Sequence, residues 1–449
     1  MSRDLQQHPV NEILPPGQLF TYGLQHVLAM YAGAVAVPLI VAFAIHMNKQ
    51  DLAFLINADL FTCGLATLLQ TLGVWKMGIR IPVIQGVTFA AVSPMIVIAA
   101  AQGMRAVYGA IIVAGILTFF AAPFFCRIIK LFPPVVTGSV ITIIGISLLP
   151  VSIDWAAGGV GMPGYGSLKN IAMATVVLIL ILVINRFFKG FLGNISVLLG
   201  LIIGTLIAIP AGMVNFAGVA GAPWVGIDTP FHFGPPIFAA GPIISMILVL
   251  LVTMVESTGD FLAIGEIIGL PIGTEDLARG LRADGFATAL GGVLNAFPYT
   301  AFAQNVGLVN ITGVRSRFVV ATAGVILVFL GLIPKFAEIV ASIPNAVLGG
   351  AGIVMFGIVA ATGIRTLSRV KYEGTHNALV VAVSIGIGLI PTVSPHFFDK
   401  FPAWLQIVLH SGITAGSVAA ILMNLFFNIL GKQGEIPAEC GTEPLGPVL

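Results

Sequence analysis

The sequence predicts an all-α polytopic membrane protein of fourteen transmembrane segments, arranged as two inverted halves of seven, with short extended segments in spans 3 and 10. Four observations lead there. Only 8% of the 449 residues are charged and 58% are hydrophobic, against roughly 25% charged in a typical soluble domain. Apolar runs close to membrane-crossing length recur, as at 170–184, 195–209 and 318–333. Lys and Arg sort to one side of those runs, and two interrupted segments recur at matching places in the two halves. No soluble domain remains beyond an arm to Gln18, a loop from Val214 to Gly234 and a tail from Gly431. The arm has no apolar stretch before a cleavage site, so no removable signal peptide is expected and the first span acts as the targeting signal.

In order, the passes fall near 18–45, 51–73, 81–100, 105–126, 131–151, 168–186, 190–213, 237–265, 280–297, 300–313, 317–339, 345–364, 375–392 and 411–430. With the N-terminus inside, Arg3, Lys76, Arg80, Arg127, Lys130, Arg186, Lys189, Arg279, Arg282, Arg315, Arg317, Arg365, Arg369, Lys371 and Lys432 fall inside. Lys49, Arg105, Lys169, Lys335 and Lys400 fall outside. This 15 to 5 split follows the tendency of cytoplasmic loops to hold the basic residues. Both termini are therefore expected in the cytoplasm of a multi-pass inner (plasma) membrane protein. The net charge of +2 itself says little, because the placement of the charges carries the information, and no nucleic-acid partner is expected. Cys63, Cys126 and Cys440 are too scattered for a metal site or a disulfide framework, and the two in spans are expected to pack as small apolar residues. No phosphate-binding Gly-x-x-x-x-Gly-Lys-Ser/Thr run occurs, so uphill work must draw on an ion gradient, and no cofactor is expected.

One region is too short for two ordinary helices. Between Arg282 and Arg317 only 34 residues travel out and back, where two helical spans need about 40. The segment Tyr299 to Thr312, Y-T-A-F-A-Q-N-V-G-L-V-N-I-T, is expected to be extended, because Pro298, Gly307 and β-branched residues disfavour a continuous helix. In the first half Ile81 to Pro94, I-P-V-I-Q-G-V-T-F-A-A-V-S-P, resembles it, with Pro82 aligned to Pro298 and Thr88 opposite Gln304. F-P-P-V-V-T-G at 132–138 likewise matches I-P-N-A-V-L-G at 343–349, at separations of 216 and 211 residues. An odd number of passes per half makes the repeats inverted, and paired interrupted segments in such halves point to a transporter's binding site. Short strands from the two segments can pair, satisfying backbone groups that lipid cannot.

Glu256 and Asp260 end an apolar stretch that carries no charge from Ile237 to Val255. Four residues apart, they share one helix face. A carboxylate at membrane depth costs at least a few kcal/mol, so the pair is expected at a cavity, a substrate or a proton path, or else in a structural hydrogen-bond pair. Desolvation and the like-charged neighbour favour a proton on one of these carboxyls, the basis for expecting proton coupling. Asp284 serves as an orienting group or relay, or pairs with Arg279 or Arg282. His26 is either a satisfied core histidine or a donor to a carboxylate across a helix contact. Gln304 and Asn305 offer amide donors and acceptors suited to the edge of a planar polar heterocycle. Phe89 is a candidate stacking face, Gly307 a point of close backbone approach, and Glu266 a solvated residue near its helix end.

These residues resemble the nucleobase-ascorbate transporter family, also called the nucleobase-cation symporter 2 family. Gln304-Asn305-Val306-Gly307 followed by Thr312 matches its signature, Glu256-Ser257-Thr258-Gly259-Asp260 its eighth-span motif and Gln25-His26 its first-span motif. The resemblance extends from about Pro16 to Gly431. It implies a core domain of spans 1–4 and 8–11 (residues 1–130 and 237–340) and a gate domain of spans 5–7 and 12–14 (131–236 and 341–449, with the tail). It also implies a homodimer through the gate. On that pattern Glu256, Gln304, Phe89, Thr88, Asp260 and Ala303 bind substrate, while His26, Asp284 and Asn305 couple or orient. G-L-Q-H-V-L-A-M-Y-A-G-A-V-A-V-P-L and I-D-W-A-A-G-G resemble the urate and xanthine branch. Gln304 agrees, since uracil permeases tend to carry an acid there, and Asp260 resembles xanthine-type members. The expected function is proton-coupled import of xanthine, with urate as a second or shared substrate; a uracil or sodium-coupled carrier is the alternative.

Rival classes fit less well. An intramembrane aspartyl protease needs Gly-x-Gly-Asp and Tyr-Asp, but Ser257 and Ala283 stand at the deciding positions, and no His-Glu-x-x-His occurs. An anion carrier or channel on a similar fold would meet repulsion from Glu256 and Asp260.

Overall fold

The computed structural model describes residues 8–125 and 129–430. Arg3, Arg127 and Lys432, expected as inner charges, lie outside these residues, as do Cys126, Cys440 and the tail. Fourteen helices of ten or more residues form among the described residues. They are α1 (Pro16–Ala44), α2 (Lys49–Leu72), α3 (Val92–Gln102), α4 (Met104–Ala121), α5 (Pro134–Ala156), α6 (Leu168–Phe187) and α7 (Ser196–Ala208). The second set is α8 (Ala240–Ile268), α9 (Thr274–Val293), α10 (Ala303–Thr312), α11 (Arg317–Gly331), α12 (Asn345–Leu367), α13 (Asn377–Val393) and α14 (Gly412–Asn424). Among the described residues eight helical stretches are long and apolar enough to cross a membrane, or nine if α11 and the helix Pro334–Ala341, bent by 82°, form one span. The sequence marks the helix ends. Asn48, Ser167 and Ser316 cap α2, α6 and α11 by accepting from Asp51, Asn170 and Phe318 N–H groups, and Gly269 and Gly313 close α8 and α10 in the left-handed conformation.

Two strands interrupt the helices, β1 (Gln85–Val87) between α2 and α3, and β2 (Tyr299–Ala301) between α9 and α10. They pair antiparallel, Gln85 with Ala301, Gly86 with Thr300 and Val87 with Tyr299. Thr88 N–H donates to Pro298 O at 3.0 Å and Phe302 N–H to Ile84 O at 3.1 Å, which lengthens the ladder at both ends. All six strand residues are buried, so each half satisfies the other's backbone. The expected long extended segment is corrected here: only Tyr299–Ala301 is strand, and Ala303–Thr312 is helix. β1 offers partners for three residues, and the rest must satisfy their backbone internally. Gly307 costs a helix only about 1 kcal/mol.

The helices pack in pairs. α2 lies against α11 and α9 against α4, while α1 also meets α11 and α8 also meets α4. α5 lies along α12; α6 and α7 join α12, and α13 and α14 join α5. The tight crossings rest on glycine. A Cβ at Gly64 of α2 would sit 2.5 Å from Gly324 O of α11, and one at Gly285 of α9 would sit 2.8 Å from Gly115 O of α4. At the end of α2 where Leu72 lies, called here the first face, Arg317 Nη1 donates to Thr71 O at 2.7 Å, and Arg80 lies within electrostatic reach of Arg279 and Arg317. Lys49, Arg105 and Lys335 lie at the opposite, second face, where Arg105 holds Pro235 O of the 214–239 loop and Lys335 sits over Trp224.

Candidate functional site

A cavity of about 520 Å³ opens beside the strand crossing. Its wall combines Val87 of β1 and Phe89 just after it, Glu256, Gly259 and Asp260 of α8, and Thr300 through Gln304 of β2 and α10. Thr137, Ile141 and Ile144 of α5 and Ile358, Val359, Thr362 and Arg365 of α12 close the other side, with Thr366 and Arg369. Glu256 and Asp260 thus share a helix face and a cavity, and Asp260 Oδ2 is buried with no hydrogen-bond partner. The first residues of α10 and of the short helix Phe89–Ala91 line the same space. Phe89 presents its ring there, edge-on to Phe356 at 5.9 Å.

The remaining expected residues stand behind this wall. Thr88 Oγ1 accepts from Ala90 N–H at 3.2 Å and starts the short helix, so its hydroxyl serves the backbone. His26 of α1 is 2% exposed. Its partner is the Asn305 amide, which donates to His26 Nδ1 and to His26 O at 3.0 Å each; the expected carboxylate contact is replaced by an amide from the signature itself. Asp284 Oδ1 accepts from Gln70 Nε2 at 2.6 Å, and no arginine among the described residues forms an ion pair with it. Glu256 and Asp260 lie within electrostatic reach of Asp284. Ser257, between those two acids, receives Ala301 N–H at 3.1 Å and meets Thr300 Oγ1 at 3.0 Å, tying α8 to β2. A Cβ at Gly307 would meet nothing within 4 Å, so the close backbone approach expected there is not made. Glu266 is exposed, as expected.

Some contributors went unread in the sequence. Arg365 and Arg369, counted only as inner charges, line the cavity mouth. Cys63 does more than pack, since its thiol donates to Gln85 O at 2.7 Å. Asp59, mid-helix in α2, receives the Tyr299 hydroxyl at 2.9 Å; one acid amid Ile56, Leu60 and Phe61 was a signal of the kind Glu256 gave.

Interrupted helices meeting through paired strands, beside a cavity lined by acids and an amide, define a membrane transporter rather than an enzyme. The chain belongs to the nucleobase-ascorbate transporter family, whose model, described as Permease family, matches residues 17–397. It is similar to the uric acid transporter UacT of Escherichia coli, 50% identical over 95% of this chain and 89% of that one. Similarity to the xanthine permease of Bacillus subtilis is 48% identity over 94% of this chain and 97% of the relative. The fold is also that of the transmembrane domain of the cyanobacterial bicarbonate transporter BicA, with a TM-score of 0.61 at 15% identity, covering 92% of this chain and 99% of that one. Murine Slc26a9, an anion transporter solved in the inward-facing state, gives a TM-score of 0.64 at 13% identity over 94% of this chain and 70% of the other.

Proposed function

We propose that this protein imports a purine nucleobase, xanthine foremost and urate beside it, by proton-coupled symport with alternating access. The observation that carries the reading is that Glu256 of α8 and Gln304 of α10 line one cavity together with Phe89 from the other half of the crossing. Glu256 accepts from a ring N–H, while Gln304 and the helix starts at Phe89 and Ala303 donate toward ring oxygens and nitrogens. Such a mixed edge suits a purine better than a simple anion, which the two acids repel. Phe89 lines the ring, Asp260 and Ala303 complete the binding segment, and Thr88 starts the short helix behind it. His26, Asn305 and Asp284 orient or couple. The relatives named for uric acid and xanthine support the substrate class.

The finer architecture follows the same reading. Seven passes per half, inverted, are supported by packing that recurs on exchange of the halves: α2 on α11 answers α9 on α4, and α1 on α11 answers α8 on α4. Spans 1–4 and 8–11 form the core, and spans 5–7 and 12–14 the gate. The cavity lies between the two, and motion of one past the other exposes it to alternate sides. The first face is cytoplasmic, with both termini there, in the inner membrane; the gate carries a homodimer contact. Uptake of labelled xanthine, urate, uracil and guanine into cells, with mutual competition, tests the substrate. Collapse of the proton gradient at constant external sodium tests the coupling, and accumulation that survives collapse but stops without sodium would overturn it.

A further inference from the structure

Asp59 takes no part in the cavity, yet it is the acid most completely enclosed outside it. The residue is 1% exposed. Tyr299 of β2 donates its hydroxyl to Asp59 Oδ1 at 2.9 Å and lies 3.0 Å from Asp59 O. Asp59 Oδ2 and Thr62 Oγ1, one turn on, are both buried without a hydrogen-bond partner. The ionisable groups that face Asp59 are Tyr299 of β2, Tyr108 of α4 and Cys63 of α2 itself, and none is a cation. The other charged groups on α2 and on the elements packed against it lie toward its ends, Asp51 beside His232 among them. Lys49 and Glu338 line the second-face cavity, Asp284 meets Gln70, and Arg317 meets Thr71 and Leu72. A buried carboxylate with one neutral donor and no counter-ion is costly, and binding a proton relieves that cost.

The position of Asp59 links it to Asp284, behind the substrate cavity. Asp59, Cys63, Thr67 and Gln70 follow one another along one face of α2. After Tyr299 at Asp59, the Cys63 thiol reaches Gln85 O, Thr67 Oγ1 accepts from Gln85 N–H at 3.0 Å, and Gln70 holds Asp284. The stripe therefore runs along the strand crossing to the acids behind the substrate cavity. Asn57, two residues earlier and on another face of α2, lines a cavity of about 790 Å³ at the second face, and its Oδ1 is buried and unpartnered.

We propose that Asp59 is a second proton-carrying site, loaded and emptied as β2 moves with the transport cycle. The proton comes from water as hydronium, rests on Oδ2 beside Thr62 while Tyr299 keeps its bond to Oδ1, and returns to water; no bond to the substrate forms. The proposal rests on the proton-symport reading.

The test uses the full chain in liposomes with an imposed gradient of one pH unit and labelled xanthine. Asp59→Asn copies the shape of the protonated acid and should keep xanthine counterflow at equal pH. Its accumulation ratio should fall about tenfold below wild type, the value of one proton per pH unit. An unchanged ratio would overturn the assignment and leave the symport reading intact, whereas a wild type that no proton gradient drives overturns both. If Asp59→Asn loses counterflow as well, Asp59→Glu decides: recovery of gradient-driven accumulation supports the proton site, and failure to recover marks Asp59 as structural.

Discussion

At the scale of the residue, Glu256→Gln tests the proposed site most directly. A carboxylate that accepts from a ring N–H makes a stronger bond than an amide, worth roughly 1.5–3 kcal/mol, or about 10- to 100-fold. Uptake by Glu256→Gln should fall at least that far with its amount in the membrane unchanged, and near-normal uptake would remove Glu256 from the site. Gln304→Glu replaces a donor with an acceptor at the substrate edge. The competition profile across xanthine, urate, guanine and uracil should shift while folding is kept, and an unaltered profile would count against Gln304 as a ligand. These two residues were legible because an acid within an apolar helix and a Gln-Asn pair beside a broken one are locally conspicuous. Their supports were less so. That Asn305 lies over His26 depends on α10 crossing α1, a contact between residues 279 apart in the chain. Arg365 and Arg369 illustrate a further limit, since the side preference of basic residues sorts them by membrane face and is silent on what they line.

Among the elements, the glycine crossings and the strand pair do the positioning. Gly64→Ala places a methyl 2.5 Å from Gly324 O, and overpacking of this kind costs typically about 1–3 kcal/mol. The Tm of the detergent-solubilised protein should drop for Gly64→Ala, and equally for Gly115→Ala at the matching crossing of α4 and α9, where the contact is 2.5 Å to Ala289 N. Gly307→Ala meets open space and should leave Tm unchanged or raise it, because alanine favours a helix. A lowered Tm for Gly307→Ala would contradict the helical state of α10. The sequence carried the existence of both interruptions through Pro82, Pro298 and the short path between Arg282 and Arg317. It did not carry their length, because strand or helix at Ala303 depends on how many partners β1 supplies, a property of the other half of the chain.

For the molecule as a whole, the loop between α7 and α8 closes the second face and brings in a pH response of its own. Asp228 in that loop lines the second-face cavity, and burial raises its pKa to about 7. The unfolded chain loses this proton near pH 4 and the folded chain keeps it to about 7, so folding stability from this group declines as pH rises between those values and is level above. Asp228→Asn should therefore raise Tm relative to wild type at pH 8 and match it at pH 4. An equal effect at both pH values would show that Asp228 acts by something other than its charge. The helical membrane architecture was readable from composition and spacing alone. The pairing of α2 with α11 and α9 with α4 was not, since those crossings depend on which glycines face each other in three dimensions.

The strand pair also has a consequence for how the protein is made. Residues 85–87 emerge from the ribosome more than two hundred residues before their partners at 299–301, an interval of roughly 10–40 s at ordinary translation speed. Throughout that time the first half sits in or beside the bilayer with three backbone units that have no strand to bind and no water to replace it. A nascent chain halted before residue 299 is thus an unfinished polar surface within lipid, and the membrane insertion machinery must shelter it until the second half arrives. Ribosome-bound chains released before or after that residue should differ sharply in protease resistance, with the step at the appearance of β2 rather than at the completion of any helix.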